Sequence, residues 1–370
     1  MGIVGRLAKT AAEAIRTTAP LNGCPPAVLT VQANVLSASS CETGNAMAKS
    51  GIIVIGTSAG GMDALTRLVA QLPKEFPAPI FVVQHLSADI SAEALRKTLE
   101  RSGNLPCSEA KDGATFRSGT IYVAPSDHHL MITRAKILVT KGARENRSRP
   151  GIDPLFRSAA VAHRSKVIGI VLTGYLDDGT AGMIAIKRCG GTCVVQDPNE
   201  AAYPDMPQNV LKQLEVDHVV PIAEMGALLT KLLKRPVRKD KPVPRDIAIE
   251  ARIAERVLSD LPSVEALGEQ VPFNCPNCGG VLWEVAKGGV LRYRCHTGHA
   301  YTSSVLLAEQ TAKIEETLWI ALRMFEERRN LLTTMSDRGS RGFSPSASSR
   351  AKESEVHITR IRAMLRTGPS

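Results

Sequence analysis

Aromatic residues make up only 4% of this 370-residue chain. A platform for single-stranded nucleic acid stacks bases on aromatic side chains set among basic groups. No such stripe occurs, so nucleic acid is not an expected partner, although the formal net charge is +10. Much of that charge lies in connecting segments and tails, where it favours acidic partners without defining a groove. No apolar run approaches the ~20 residues of a membrane span, and direct membrane insertion is not expected. A secretory h-region is missing as well, and no internal repeat is found. Nor do the eight cysteines suggest a disulfide framework. Cys24, Cys41, Cys107, Cys189 and Cys193 are scattered, whereas Cys275, Cys278 and Cys295 are clustered in the manner of metal ligands. Together these features indicate a cytoplasmic, reducing setting.

What is present divides the chain. Residues 1–48 have weak periodicity and read as a disordered extension, with Met47 placed as a natural start before the first strand. From 49 to 233 strands and helices alternate, as a parallel sheet requires. Strands are expected at Gly51–Ile55, Ile80–Gln84, Thr120–Ala124, Val167–Thr173 and Thr192–Gln196. Helices are expected at Met62–Gln71, Ser91–Ser102, Pro154–His163, Thr180–Cys189 and Met225–Leu233, with a hairpin over Leu130–Thr140. Residues 234–246 are rich in proline and charge and form a linker. A short helix and a cysteine-bearing module fill 247–302, and one long amphipathic helix follows over 303–335. Its apolar stripe comprises Leu307, Ile314, Leu318, Ala321, Leu322 and Phe325. The tail, 336–370, reads as disordered with a short final helix.

The most informative stretch is Ile52–Ala70, where a β-branched run ends at Gly56 and a helical pattern begins after Gly60-Gly61. Ser58 lies in the turn between them. Backbone N–H groups and the helix dipole suit that position to a developing oxyanion. Two other strand ends carry reactive groups: His85 directly after Phe81–Gln84, and Asp177-Asp178 after Val167–Thr173. In an open parallel sheet such positions converge on one crevice. Hydroxyl, imidazole and carboxylate there can serve as nucleophile, base and base-orienting group. Each has a plainer reading as well: Ser58 as a helix cap, His85 as a core histidine, Asp178-Gly179 as a turn. The α/β-hydrolase order would instead use His218 after Asp178, but His218 sits in a short strand-like run and reads as a sheet residue.

Five ordered motifs in this region carry a family resemblance. They are Gly56-Thr-Ser-Ala-Gly-Gly61, Gln84-His-Leu86, Val123-Ala-Pro-Ser-Asp-His128, Asn146-Arg-Ser-Arg-Pro-Gly-Ile-Asp153 and Leu172-Thr-Gly-Tyr-Leu-Asp-Asp-Gly179. Residues 50–233 thereby resemble the catalytic domain of chemotaxis protein-glutamate methylesterases. The resemblance implies a doubly wound, mainly parallel α/β fold and hydrolysis of methyl glutamate esters on the cytoplasmic helices of chemoreceptors. Deamidation of receptor glutamines is a second implied activity. Ser58 is then nucleophile, His85 base and Asp178 its orienting carboxylate, with no cofactor for catalysis. The N–H of Ala59 is the expected oxyanion donor, and Tyr175 and Arg149 are expected beside the substrate. Departures from the family pattern fall at Ala59, where threonine is common, and at Tyr175-Leu176-Asp177, where Met-Gly-Asn is usual. The residues preceding the domain are too few for the family's usual phospho-receiver, so inhibition in cis is not expected, and a signalling protein acting in trans is a candidate partner.

The C-terminal module reads C-x2-C-x16-C-x3-H through Cys275, Cys278, Cys295 and His299. Three thiolates and an imidazole are expected to complete a tetrahedron around structural Zn2+ in a ribbon too small to fold without metal, and the competing reading is a redox Cys-x-x-Cys pair, which usually opens a helix after a strand. His296 competes with His299 for the fourth position, and His299 is preferred. The module resembles a zinc-ribbon-like extension found after some receiver-less methylesterases. Two rival functions stay open from sequence: a catalytically inactive signalling adaptor working through the zinc–helix module, and a small-ester hydrolase of other specificity.

Overall fold

The computed structural model describes residues 51–85, 91–256, 260–285, 289–337 and 346–367. The expected extension over 1–48 and the Met47 start lie outside the described residues. The first strand, β1 (Ile52–Thr57), is buried along its whole length, as a central parallel strand covered on both faces must be. Helix α1 (Gly61–Val69) leads from it to β2 (Ile80–Gln84), and α2 (Ala92–Ser102) to the short β3 (Cys107–Glu109) and β4 (Ile121–Val123). The hairpin β5 (His129–Ile132) and β6 (Ile137–Thr140) forms its own two-stranded sheet. Helix α3 (Ile152–His163) then returns the chain to β7 (Val167–Val171) on the other side of β1. The order continues with α4 (Thr180–Arg188), β8 (Thr192–Gln196), α5 (Asp205–Gln213), β9 (His218–Val220) and α6 (Ile222–Lys234).

The main sheet runs β3-β4-β2-β1-β7-β8-β9, parallel throughout. This is the expected doubly wound α/β arrangement. The strand order switches sides between β1 and β7, so the crevice beyond the carboxyl end of β1 is the place where such a fold binds ligands. Helices α1, α2 and α6 cover one face through Leu65, Leu68, Leu99 and Leu229, and α3, α4 and α5 cover the other through Leu155, Phe156, Met183 and Val210. Elements β3, α5 and β9 go beyond the expected set, although the strand-like run around His218 is indeed β9. His218 pairs with Val194 at the start of that edge strand, away from the crevice.

Two glycines let α3 approach β1. A Cβ on Gly56 would stand 2.3 Å from Ile152 Cγ2, and one on Gly179 would stand 2.9 Å from the same methyl. The Ile152 N–H is itself held by Asp178 at 2.7 Å, which ties the start of α3 to this position.

After the connection that follows α6 come α7 (Arg245–Glu255) and α8 (Leu261–Glu265), then the antiparallel ribbon β10 (Glu269–Asn274), β11 (Val281–Val285), β12 (Arg292–Cys295) and β13 (Ala300–Thr302). Helix α7 packs Ile249 and Ile253 against Trp283 and Val285 of the ribbon. Beneath them lies a buried ion network. Glu145 accepts from Arg157 of α3 and from Arg294 of β12 at 2.9 Å, and Glu250 of α7 accepts from Arg292 at 2.6 and 2.7 Å. Burial raises the carboxyl pKa values, but the arginine charges outweigh it and hold both acids below their usual range. The ribbon is therefore joined to the sheet domain by compensated charges that neither part could leave buried alone.

The last elements are long. Helix α9 spans Ser303–Asp337 and α10 spans Ser346–Thr367, well beyond the short final helix expected in the tail. Leu318, Ala321, Leu322 and Phe325 of α9 face Ile358, Ile361 and Leu365 of α10. The expected single stripe is thus divided, since Leu307 and Ile314 are exposed. Among the described residues no helix is long and apolar enough to cross a membrane.

Gly56→Ala is expected to destabilise the chain by about 1–3 kcal/mol through overpacking against Ile152. A urea titration checks this: the midpoint should fall while the slope is unchanged.

Candidate active site and metal centre

Register places the first two site residues side by side. Thr57 of β1 pairs with Gln84 of β2, so Ser58 and His85 are the next residues out on adjacent strands. The turn after β1 is tight: Gly60 has φ 76°, and Gly61 N–H donates to the Ser58 carbonyl at 3.0 Å. A Cβ on Gly61 would lie 2.1 Å from Gln84 Oε1 and 2.3 Å from Thr57 Oγ1. Only glycine fits where the helix start, β1 and the Gln84 side chain meet.

Gln84 is a residue that sequence reasoning passes over. Its Nε2 donates to the Ser58 carbonyl at 2.6 Å and to the His85 carbonyl at 2.8 Å, binding the two catalytic candidates through their main chains. The His85 N–H donates to Thr57 O at 3.0 Å, which continues the ladder past the strand end. Its place in the Gln84-His85 motif is the available signal.

Asp178 is 3% exposed and His85 17%. His85 Nε2 lies 2.9 Å from Asp178 Oδ2. The same carboxylate accepts from Ile152 N–H at 2.7 Å, Asn146 Nδ2 at 3.1 Å, Gly179 N–H at 3.1 Å and Asp153 N–H at 3.3 Å. Burial would raise its pKa, but the His85 bond and charge, the Ile152 N–H and the Asn146 amide together hold it below the usual value. Asp178 therefore stays ionised and can orient an imidazole.

Its neighbour behaves oppositely. Asp153, buried and close to the Asp178 charge, is pushed above the usual carboxylate range. Its Oδ1 accepts from Gly179 and Gly182 N–H at 3.1 and 2.6 Å. The pKa values of the two buried acids are pushed in opposite directions, as in other closely spaced carboxylate pairs.

The crevice is walled by the loop after β7. Gly174 lies against Ser58, since a Cβ there would be 2.7 Å from Ser58 Cβ. Tyr175 is 54% exposed and packs its ring 4.5 Å from that of Tyr203. Asn209 Nδ2 donates to Leu176 O at 2.7 Å and fixes the tip of the loop. Asp177 accepts from the Ser304 hydroxyl at 2.7 Å, and burial raises its pKa. The Ala59 peptide is held by its carbonyl, which accepts from Thr173 Oγ1 at 3.0 Å. Arg149 is engaged elsewhere, donating to Asp127 at 2.7 and 2.8 Å and to the Gly142 carbonyl at 2.8 Å. The arrangement as a whole can run acyl transfer: a hydroxyl at a helix start, an imidazole on the adjacent strand and an ionised carboxylate behind it.

The second candidate site is in the ribbon. The ligand atoms of Cys275, Cys278, Cys295 and His299 all lie within 4.8 Å of one another. Cys278 Sγ is 3.8 Å from Cys295 Sγ, and Cys295 Sγ is 3.5 Å from His299 Nδ1. A tetrahedron with metal–sulfur bonds of ~2.3 Å has S···S edges of about 3.8 Å, so the donor set fits a tetrahedral soft metal. His299 rather than His296 completes the group. Gly279, with φ 73°, makes the turn that brings the first two thiols to the others.

The sheet domain has known relatives. The CheB methylesterase family matches residues 53–229. A Leptospira interrogans chain, provisionally named a protein-glutamate methylesterase/protein-glutamine glutaminase, is 40% identical over 181 residues, which cover 49% of this chain and 93% of that protein. A Thermotoga maritima protein with the same enzyme name is 34% identical over 186 residues, covering 49% of this chain and 54% of that protein. The crystal structure of the Thermotoga maritima CheB methylesterase catalytic domain is 34% identical, covers 50% of this chain and 98% of that chain, and gives a TM-score of 0.48. By the extent of the sequence matches, the chain belongs to the CheB methylesterase family.

Proposed function

We propose that this chain hydrolyses methyl esters of glutamate side chains on the cytoplasmic helices of chemoreceptor-type proteins, and deamidates certain glutamines there, by an acyl-enzyme route. The observation that carries the reading is the His85–Asp178 pair, 2.9 Å apart and set one residue beyond the strand end beside Ser58. With Nε2 engaged by Asp178, Nδ1 is the ring nitrogen left to take the serine proton.

Ser58 Oγ adds to the ester carbonyl carbon as its proton passes to His85, and Asp178 stabilises the imidazolium. The oxyanion is received at the start of α1, where the N–H of Ala59 is the nearest main-chain donor in sequence. Collapse breaks the bond to the methoxy oxygen, which takes the proton from His85 and leaves as methanol. Water, deprotonated by His85, then releases the glutamate carboxylate and restores Ser58. Tyr175 and Tyr203 offer an apolar wall for the receptor segment, whereas Arg149, committed to Asp127, acts on substrate only by shaping the surrounding loop.

The four ribbon ligands would hold a zinc ion with no open position, so its contribution is to fold the ribbon rather than to enter a step.

Methanol release from methylated receptor membranes tests the assignment. Ser58→Ala should abolish it, and Asp178→Asn should lower kcat by roughly 10³–10⁴-fold. Full activity of Ser58→Ala defeats the mechanism. Labelling of Ser58 by a fluorophosphonate without receptor turnover points to a small-ester hydrolase, and failure of both points to an adaptor. The purified chain should carry about one zinc per ribbon, measured by elemental analysis. Cys278→Ser or a strong chelator should remove it and melt the ribbon while the far-ultraviolet signal of the sheet domain persists.

A further inference from the structure

The turn between β6 and α3 lies between the catalytic aspartate and the ribbon. Asn146 and Arg147 occupy the left-handed region there, with φ 47° and 69°. The Asn146 N–H donates to the Ala300 carbonyl at 2.9 Å, and its Oδ1 accepts from the Thr302 N–H at 3.1 Å. Both partners lie on β13, which begins directly after the metal-ligand candidate His299.

This fixes which way the amide points. Because Oδ1 faces a donor on the ribbon, Nδ2 must face the opposite way. There it donates to Asp178 Oδ1 and Asp153 Oδ2, each at 3.1 Å. A loop-stitching asparagine needs only its oxygen bond. Here both N–H groups end on buried carboxylates, one of them the partner of His85. Further contacts from the same strand end reach the same loop: Thr302 Oγ1 meets Ser304 Oγ at 3.0 Å, and Ser304 donates to Asp177.

We propose that Asn146 is a positioning residue through which the metal-bearing ribbon seats the catalytic aspartate. This rests on the reading of Ser58, His85 and Asp178 as the reacting group. Asn146 touches no substrate and acts only through Asp178. A ribbon that loses its metal loses the fixed position of Thr302, the amide is released to rotate, and Asp178 keeps its main-chain donors but not its lateral support.

The test uses the full chain, unaltered and as Asn146→Ala, each zinc-loaded and zinc-stripped. Two quantities are read: the rate of Ser58 labelling by a fluorophosphonate, and the low-field proton resonance of the His85 ring N–H that faces Asp178. Zinc-loaded Asn146→Ala, with normal metal content and circular dichroism, should label on the order of 10²-fold more slowly, the scale of a misplaced catalytic group. Its low-field resonance should shift or broaden. In receptor turnover kcat should fall with KM nearly unchanged. Stripping zinc from the unaltered chain should reproduce both changes, and stripping it from Asn146→Ala should add little, since effects along one route do not sum. A normal rate and resonance in Asn146→Ala overturn the proposal, as does an equal slowing of both chains by zinc removal. If Asn146→Ala does not fold, the resonance of the zinc-stripped unaltered chain decides: its retention overturns the proposal, and its loss supports it. A wild-type chain that never labels defeats the catalytic reading instead, and the resonance still decides the role of Asn146.

Discussion

One buried carboxylate organises this molecule. Asp178 accepts five N–H groups, supplied by the strand end at His85, the start of α3, the turn at Asn146 and its own successor Gly179. A charge taken out of water is tolerable only when its oxygens are satisfied, so these segments must converge to within hydrogen-bond distance of one point. That demand explains why α3 starts where it does, and why Gly56 and Gly179 have no room for a side chain. It also explains why the carboxyl of the adjacent Asp153 is pushed above its usual range. Two full charges at that depth would repel, and Asp178 holds the larger set of donors.

The ribbon extends the same logic outward. Glu145 and Asn146 are adjacent, one buried in an arginine network and the other between two acids. Arg294 reaches Glu145 and also the Gly298 carbonyl, so a single side chain ties the turn before His299 of the Cys3His cluster to the sheet domain. Buried ion networks are weak sources of net stability, but removing one partner leaves an uncompensated buried charge. Here the network joins one small module to the sheet domain through Glu145, Arg157, Glu250, Arg292 and Arg294.

Much of this is legible in the sequence. Strands β2 and β8 are readable to the residue, because a short run rich in β-branched and apolar residues starts after Pro79 or Gly191 and closes at a glutamine. Ser58, His85 and Asp178 stand just beyond the carboxyl ends of strands, and parallel topology gathers such positions on one edge. The four ribbon ligands are marked by their spacing. The illegible parts depend on distant partners. Strands β3 and β9 are three residues each and exist because a neighbour offers its edge. Helix α10 begins at Ser346, in a stretch whose composition suggests disorder, because α9 supplies its apolar surface. Asn146 belongs to a recognisable motif, but its two carboxylate contacts and its ribbon contact span 7, 32 and 156 residues. No local pattern announces such a junction.

The 35-residue α9 has one more consequence. At a rise of about 1.5 Å per residue it is about 52 Å long, and its root, Ser304, is bonded to Asp177, the neighbour of Asp178. A rod anchored in this way is a lever. One degree of tilt about the root moves the far end by about 1 Å, and conversely a displacement at the far end arrives at the root as a small, stiff rotation. Helix α10 packs on α9 over Leu318–Phe325, beyond the exposed Leu307 and Ile314 nearer the root. Mechanically, the crevice is the fulcrum of the longest helix among the described residues.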